Sequence, residues 1–325
     1  MRLLIPGGCG YIGSATARFL RARGHEVCVL DDLSTGHRAA WDGAFFAVDL
    51  TDAAALRRAL AAAGPCDGVI HFAARAYVGE SVAQPLRYWR QNVLPVLHLC
   101  EALPGVPFVF SSTCAVYGQP EAERIHEDLP KAPVNPYGAS KLAAERVLAD
   151  RAAAGQGAYA ALRYFNAAGA EPDGSHGEHH EPEERLIPLA VRSALALGPP
   201  LQVFGQDWPT PDGTCVRDYV HVLDLAEAHL AALTRLRGGA PGGAWNLGTG
   251  QGASVREVLA SVARAVGTPV PHAFGPRRPG DPARLVADPG RARRDLGWKP
   301  RFDHLEEIVQ TAVSWFRTHP RGYAS

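Results

Sequence analysis

Tyr137 and Lys141 stand four residues apart in the run Asn135-Pro136-Tyr137-Gly138-Ala139-Ser140-Lys141. The Asn-Pro step opens a helix, so this spacing puts both side chains on one helical face. A free tyrosine has a pKa of about 10 and is a poor base near neutrality. A neighbouring ammonium favours the phenolate, which can take the proton of a hydroxyl group undergoing oxidation. Thr113, in Phe110-Ser111-Ser112-Thr113-Cys114-Ala115, offers a further hydroxyl that could bond the same substrate oxygen. Ser/Thr runs also make turns, and YxxxK occurs on ordinary amphipathic helices. The chemistry therefore rests on the set.

Oxidising a hydroxyl requires a hydride acceptor. Gly7-Gly8-Cys9-Gly10-Tyr11-Ile12-Gly13 follows an apolar run and opens an amphipathic one. Such glycines allow a tight turn and let backbone N–H groups approach a pyrophosphate at a helix N-terminus. The spacing Gly7-x-x-Gly10-x-x-Gly13 is the variant found in short-chain dehydrogenase-like proteins. Asp31 ends the next apolar run, where a carboxylate accepts from ribose hydroxyls and repels a 2′-phosphate. Asp32 adds negative charge. The expected cofactor is NAD rather than NADP. Pro6 lacks an N–H and is tolerable there only as the last residue of its strand.

These groups need a scaffold that alternates strands and helices. Strands are expected at Leu3–Pro6, Glu26–Leu30, Gly68–Phe72, Phe108–Ser111 and Ala160–Tyr164. Helices are expected at Ile12–Arg23, Ala53–Ala63, Pro85–Ala102 and Pro136–Ala153. The alternation predicts an α/β fold, a doubly wound parallel (Rossmann) sheet with ligands at the carboxyl ends of its strands. After about Asn166, Pro and Gly become dense and the strands short. The expected division is a cofactor domain over 1–165 and a smaller C-terminal α+β substrate domain over 166–325. Val222–Leu236 and Ala244–Leu247 could return to the main sheet, near 222–248.

The bulk numbers exclude several classes. Lys+Arg and Asp+Glu both total 33, so no net charge draws the chain to nucleic acid or an anionic membrane. No apolar stretch reaches transmembrane length, and Leu3-Leu4-Ile5 is too short for a signal-peptide core. A cytoplasmic location is the expectation. Six scattered cysteines without a CxxC pair are expected to be reduced and mostly buried. His176 and Gly177-Glu178-His179-His180-Glu181 contain metal-ligand residue types. Flanked by Pro and Gly and lacking apolar periodicity, they are expected to form a solvated loop, with no metal site.

Together these motifs resemble the extended short-chain dehydrogenase/reductase family over essentially the whole chain. The resemblance is carried by GGCGYIGS, LDDLSTGH, HFAA, VGES, FSSTCAVYG, NPYGASK, LRYFNAAGA, GQDWPTPDGTCVRDYVHVLDLAEAH and RRPGD. It is closest to the branch that inverts C4 of UDP-hexoses. That branch implies interconversion of UDP-glucose and UDP-galactose through a 4-keto sugar, with tightly held NAD. Tyr137 would be the base, with Lys141 and Thr113 beside it. The resemblance implies a cofactor set of Gly7, Gly10, Tyr11, Ile12, Gly13, Asp31 and Asp32, with Asp49 and Leu50 at the adenine. Phe72, Ala73, Ala74, Asn92, Ser111 and Tyr164 would meet the rest. Its substrate set is Asn166, Leu186 and Tyr219, with Gln202 and Phe204 at uracil, Arg217 and Arg278 at the diphosphate, Asp281 at the ribose and Leu285 at the sugar. Arg forks suit phosphate oxygens.

Related 4,6-dehydratases carry an Asp-Glu pair after the threonine, and the family's UDP-glucuronate decarboxylases carry a Glu at the place of Ala115. Cys114 and Ala115 supply no such acid. The chain departs from the family at Ala76, where some members have lysine and where Arg75 is adjacent. Leu285 is intermediate in size between the residues of strict and promiscuous members. Epimerisation of UDP-N-acetylhexosamines or UDP-xylose/UDP-arabinose therefore stays open. A dehydratase, a reductase and an NAD-binding regulator are the more distant alternatives. The family pairs subunits through the helices at Pro85–Ala102 and Pro136–Ala153, which implies a homodimer.

Overall fold

The computed structural model describes residues 1–278 and 280–324. Pro279, within the RRPGD motif, lies outside the described residues, as does Ser325. The first half of the chain runs β1 (Arg2–Pro6), α1 (Tyr11–Ala22), β2 (Glu26–Asp31), β3 (Ala44–Ala47), α2 (Ala53–Ala63), β4 (Gly68–His71), α3 (Val78–Ala83), α4 (Pro85–Ala102), β5 (Phe108–Thr113), α5 (Pro136–Ala153) and β6 (Tyr159–Tyr164). Then come β7 (Asn166–Ala168), α6 (Leu186–Ala194), β8 (Leu201–Phe204), β9 (Val216–Arg217), β10 (Tyr219–His221), α7 (Val222–Arg237) and β11 (Gly243–Leu247). The chain finishes with β12 (Ala253–Ser254), α8 (Val255–Val266), β13 (His272–Gly275), β14 (Arg284–Leu285), α9 (Gly290–Leu296) and α10 (Leu305–Thr318).

Seven strands form one sheet in the order β11-β6-β5-β4-β1-β2-β3, parallel throughout. Its central strands read as continuous apolar runs, Leu3-Leu4-Ile5 and Val27-Cys28-Val29-Leu30, because helices bury both faces. From β1 the chain winds outward through β2 and β3, then returns to β4 and winds the other way. That reversal opens a crevice at the carboxyl ends of β1 and β4, where doubly wound sheets bind ligands. Pro6 closes β1, and its carbonyl accepts the N–H groups of Phe72 at 2.7 Å and Ala73 at 3.0 Å.

The sheet has one strand the periodicity did not suggest. Ala44–Ala47 pairs only with β2 at the edge and has no alternation of burial, so no period-two signal marks it. β5 also runs two residues past Ser111, which carries Ser112 and Thr113 on extended backbone to the crevice.

A second core lies among α6, α8, α10 and the β8–β13 pair, built on Ile187, Val191, Val258, Val309, Trp315 and Phe316. Asp218 is fully buried between β9 and β10. Its carboxylate accepts the N–H groups of Thr249 at 2.8 Å, Gly250 at 2.9 Å and Ala287 at 3.0 Å, and the Thr249 hydroxyl at 2.8 Å. The six cysteines are free, three buried and three half-buried. Among the described residues no helix is long and apolar enough to cross a membrane.

Candidate active site

Three successive residues at the end of β5 meet three turns of α5. The Lys141 ammonium donates to the Ser111 carbonyl at 2.8 Å. The Ser112 hydroxyl donates to the Glu145 carboxylate. The Thr113 hydroxyl, which accepts the Ala115 N–H at 3.1 Å, stands near enough to the Tyr137 phenol to lower it. α5 begins where it does because Asn135 accepts the Gly138 N–H at 2.9 Å and Pro136 takes the first helical position. A Cβ on Gly138 would lie 2.5 Å from the Ala115 carbonyl oxygen, so only glycine lets the helix start press against the exit of β5.

Burial raises the Tyr137 phenol above its usual value, and the Thr113 hydroxyl pulls the other way. Lys141 is only 2 % exposed. Burial pulls its ammonium down to about 7, against the opposing pull of Glu145. The sequence suggested an ammonium near the phenol. The structure gives Lys141 to a carbonyl, because a desolvated ammonium needs an acceptor. The Ser111 hydroxyl bonds Tyr164, so that residue joins the same cluster. Cys114, next to Thr113, has its thiol pushed up to about 12 by burial and is inert as an acid.

The crevice is lined by Gly7, Gly10, Asp31, Asp32, Asp49, Leu50, Phe72, Ala73 and Ala74. Gly7 is a glycine for internal reasons. Its φ is +80°, and a Cβ would lie 2.3 Å from the Ala73 nitrogen. A Cβ on Gly13 would meet the Gly7 carbonyl at 2.1 Å. Gly10 has an ordinary φ of −76°, and a Cβ there would meet nothing nearer than 3.5 Å. The space beside Gly10 opens on the N-terminus of α1, which has no side-chain cap. That combination fits a diphosphate. Asp31 accepts from the Cys9 N–H at 2.9 Å and the Leu33 N–H at 2.8 Å, leaving lone pairs on both oxygens toward the crevice. Burial raises its carboxyl above the usual value, which those two N–H groups oppose. The residues present therefore fit a dinucleotide with free ribose hydroxyls.

Some expected residues serve this crevice indirectly. The Tyr11 hydroxyl donates to the Gly169 carbonyl at 2.6 Å, tying α1 to the segment after β7. Ile12 packs into the core. Asn92 is buried and holds the Arg75 backbone on both sides, at 2.8 Å and 3.1 Å, while its amide donates to Ser140 at 2.9 Å. Ser34, Thr35, Gly36, Thr51 and Gln91 also line the crevice. Three of them follow Asp31 in LDDLSTGH, so the motif itself carried the signal.

On the substrate side, β9 and β14 pair in a register that sets Leu285 beside Arg217. Leu285 packs against the cluster of Cys114 and Phe165. Arg217 donates to the Val216 carbonyl, not to Asp218, whose carboxylate is taken up by backbone N–H groups. The paired β8 and β13 carry Phe204 and Gln202, with Arg278 just beyond, its guanidinium 4.4 Å from the Phe204 ring centroid. Gln202 donates to the Ala273 carbonyl at 3.3 Å, and Asp281 is half-buried. Asn166 is exposed and stands opposite Tyr219 in the β7–β10 pair. Tyr219 and Leu186 turn into the second core.

The His-rich segment is not the solvated loop its composition suggested. His176 and Glu178 are buried. His176 bonds Ser14 at 3.0 Å and the Tyr323 hydroxyl at 2.6 Å, while the Trp315 indole donates to the Glu178 carbonyl at 2.8 Å. Its partners lie more than a hundred residues away in sequence, so local composition could not disclose them. Donor atoms of Glu178, His180 and Glu183 converge within 4.8 Å of one another. Arg185 compensates them from within the chain, 3.2 Å from Glu178 and 2.9 Å from His180. Its charge also lowers the phenols of Tyr137 and Tyr164 against the upward push of burial. No spacing in Glu183-Glu184-Arg185 announced that role.

Comparison with known proteins agrees with this geometry. The NAD dependent epimerase/dehydratase family matches residues 3–248. The chain is 44% identical to the UDP-glucose 4-epimerase of Lacticaseibacillus casei over 99% of both chains. It is similar to a crystal structure of UDP-glucose 4-epimerase with a TM-score of 0.96 and 41% identity, each chain covered completely. It is also similar to the UDP-glucose 4-epimerase of Brucella ovis in complex with NAD, with a TM-score of 0.93, 46% identity and coverage of 97% and 98%. Replacing Asp31 with Ser should weaken NAD binding about tenfold and narrow the preference over NADP, as removal of a charge-assisted ribose contact predicts. Titration of refolded apo-protein with both dinucleotides measures this; tighter NADP than NAD binding in the unaltered chain would contradict the role of Asp31.

Proposed function

The chain belongs to the NAD dependent epimerase/dehydratase family, and from that premise we propose that it interconverts UDP-glucose and UDP-galactose by inverting C4. The single observation that carries the reaction type is the Thr113–Tyr137–Lys141 cluster followed by Cys114 and Ala115. It can move one hydroxyl proton and has no further acid or base for elimination or decarboxylation.

NAD is the cofactor, and when bound it supplies the hydride acceptor and donor. Gly7, Gly10 and the N-terminus of α1 would hold its diphosphate, and Asp31 its adenosine ribose. Tyr137 takes the 4-hydroxyl proton as C4 is oxidised. Thr113 bonds the same oxygen and keeps it aligned. The 4-keto sugar turns about its diphosphate link, and Tyr137 returns the proton when the opposite face is reduced. Lys141 and Arg185 supply positive charge that favours phenolate. Arg217 and Arg278 bind the diphosphate, Phe204 and Gln202 receive the uracil, Asp281 the ribose, and Leu285 bounds the sugar pocket. Residues 1–165, with the return through α7 and β11, serve the cofactor, and the remainder mainly serves the UDP-sugar.

We also read the chain as a homodimer. Val82 at 65 % and Leu86 at 80 % exposure, with Trp89, leave large apolar side chains exposed along α3 and α4. Such exposure marks a protein–protein interface. Leu86→Asp should convert a dimer to monomer in sedimentation velocity; a wild-type chain that sediments as a monomer contradicts this reading.

The function is tested by supplying UDP-galactose to purified protein without added NAD and coupling the product to UDP-glucose dehydrogenase. Turnover is expected, and Tyr137→Phe should retain NAD but lose about a hundredfold or more in kcat, the usual scale of a lost general base. Stoichiometric consumption of added NADH would instead indicate a reductase.

A further inference from the structure

Beneath the redox cluster runs a chain of buried polar groups that the proposed reaction leaves unused. Glu145 lies one turn beyond Lys141 on α5, so both face the sheet. Its carboxylate accepts from Arg163 of β6, at 2.9 Å from Nε and 2.5 Å from Nη2, and from the Ser112 hydroxyl of β5. Arg163 also donates to the Tyr117 hydroxyl at 2.9 Å, which donates to Asn246 at 2.7 Å. Both members of the ion pair are buried. Desolvation makes such a pair a poor source of stability, since apolar groups of similar shape often serve a fold equally well.

The surroundings of Lys141 give the pair a purpose. On its own helix it faces Tyr137 and Glu145. β5 presents the Ser111 carbonyl and the Phe110 ring, whose centroid lies 4.8 Å from the ammonium. β4 presents His71, fully buried with both ring nitrogens unpartnered and pushed down to about 3 by burial and then by Lys141, so it is neutral. α4 presents Tyr88, edge-on to Tyr137, and the uncharged Asn92. β6 presents Tyr164, bonded to Ser111, and Arg163, which is turned to Glu145. Tyr159 and Lys131 lie in the field of Glu145 from the far side. Among the described residues, Glu145 is the carboxylate that acts on Lys141.

We propose that Glu145 is a positioning residue for the redox step: clamped by Arg163 and Ser112, it fixes the contact between α5 and the end of β5 on which Lys141 is seated at Ser111. This rests on the assignment of Tyr137 and Lys141 to the reaction. Ser111 and Ser112 are consecutive, so the carbonyl that holds Lys141 and the hydroxyl that holds Glu145 move as one unit. Glu145 opposes the burial that pulls Lys141 down to about 7. Without the carboxylate the ammonium loses its proton at lower pH, and the phenolate loses its cation.

The test is the pH profile of kcat on the NAD-bound protein with UDP-galactose, for the wild type, Glu145→Gln and the double variant Glu145→Gln/Arg163→Met. The double variant leaves no unpaired guanidinium. In both, the alkaline limb should move about one unit or more to lower pH, a tenfold change in the ammonium's proton affinity. KM should stay within about twofold, because no substrate contact is altered. An unmoved limb in either folded variant, judged by circular dichroism and retained NAD, overturns the inference. So does failure of both variants to fold, since the charge would then serve the fold. Lys141→Met, measured alongside, separates the two levels. Near-normal turnover there removes Lys141 from the reaction. Loss of turnover there, with unmoved limbs in the Glu145 variants, removes only the role of Glu145.

Discussion

Gly138 has no side chain to hold α5 away from the Ala115 carbonyl, and the cluster of Tyr137, Lys141 and Glu145 against β5 depends on that close approach. It sets three turns of one helix against three consecutive residues of one strand. Tyr137 then meets Thr113, Lys141 meets Ser111 and Glu145 meets Ser112. Each contact has a different chemical character: a hydroxyl on a phenol, a carbonyl on an ammonium, a hydroxyl on a carboxylate. A slip of one residue between strand and helix would break all three together. The cluster is thus held by backbone geometry at its centre and by the capping of Asn135 at its edge.

The rest of the molecule is arranged around that contact. The reversal of winding between β1 and β4 opens the crevice beside it. The glycines of the first turn divide their work: Gly7 and Gly13 admit neighbouring backbone, while Gly10 leaves the helix N-terminus open. Asp218 locks the 248–250 turn and Ala287 to the strand pair β9–β10. That lock keeps Arg217 and Leu285, neighbours in register, at a fixed place relative to the Cys114–Phe165 cluster. The buried His-rich segment does the same from the other side, reaching Ser14 on α1 and Tyr323 near the end of the chain.

Much of this was legible in the sequence because it is local. The parallel sheet followed from apolar runs alternating with amphipathic ones, and the Tyr137–Lys141 pair from helical spacing. β3 was not legible, since an edge strand with neither face consistently buried has no period to read. The segment 176–181 was misjudged for a related reason. Its partners are Ser14, Trp315 and Tyr323, and composition alone cannot show that polar residues have distant, buried partners. The Lys141–Ser111 bond was likewise hidden. Spacing on a helix shows which side chains share a face, not which acceptor a desolvated ammonium will take.

The central claim is that this cluster serves a reversible redox step at one sugar carbon, with the same hydride returned to it. UDP-galactose carrying deuterium at C4 tests that claim most directly, with the product analysed by mass spectrometry and NMR. UDP-glucose should keep its deuterium at C4 and gain none at that carbon when the reaction is run in D₂O. Loss of the label to solvent, or entry of solvent deuterium at C4, would contradict it and point to direct proton abstraction from carbon.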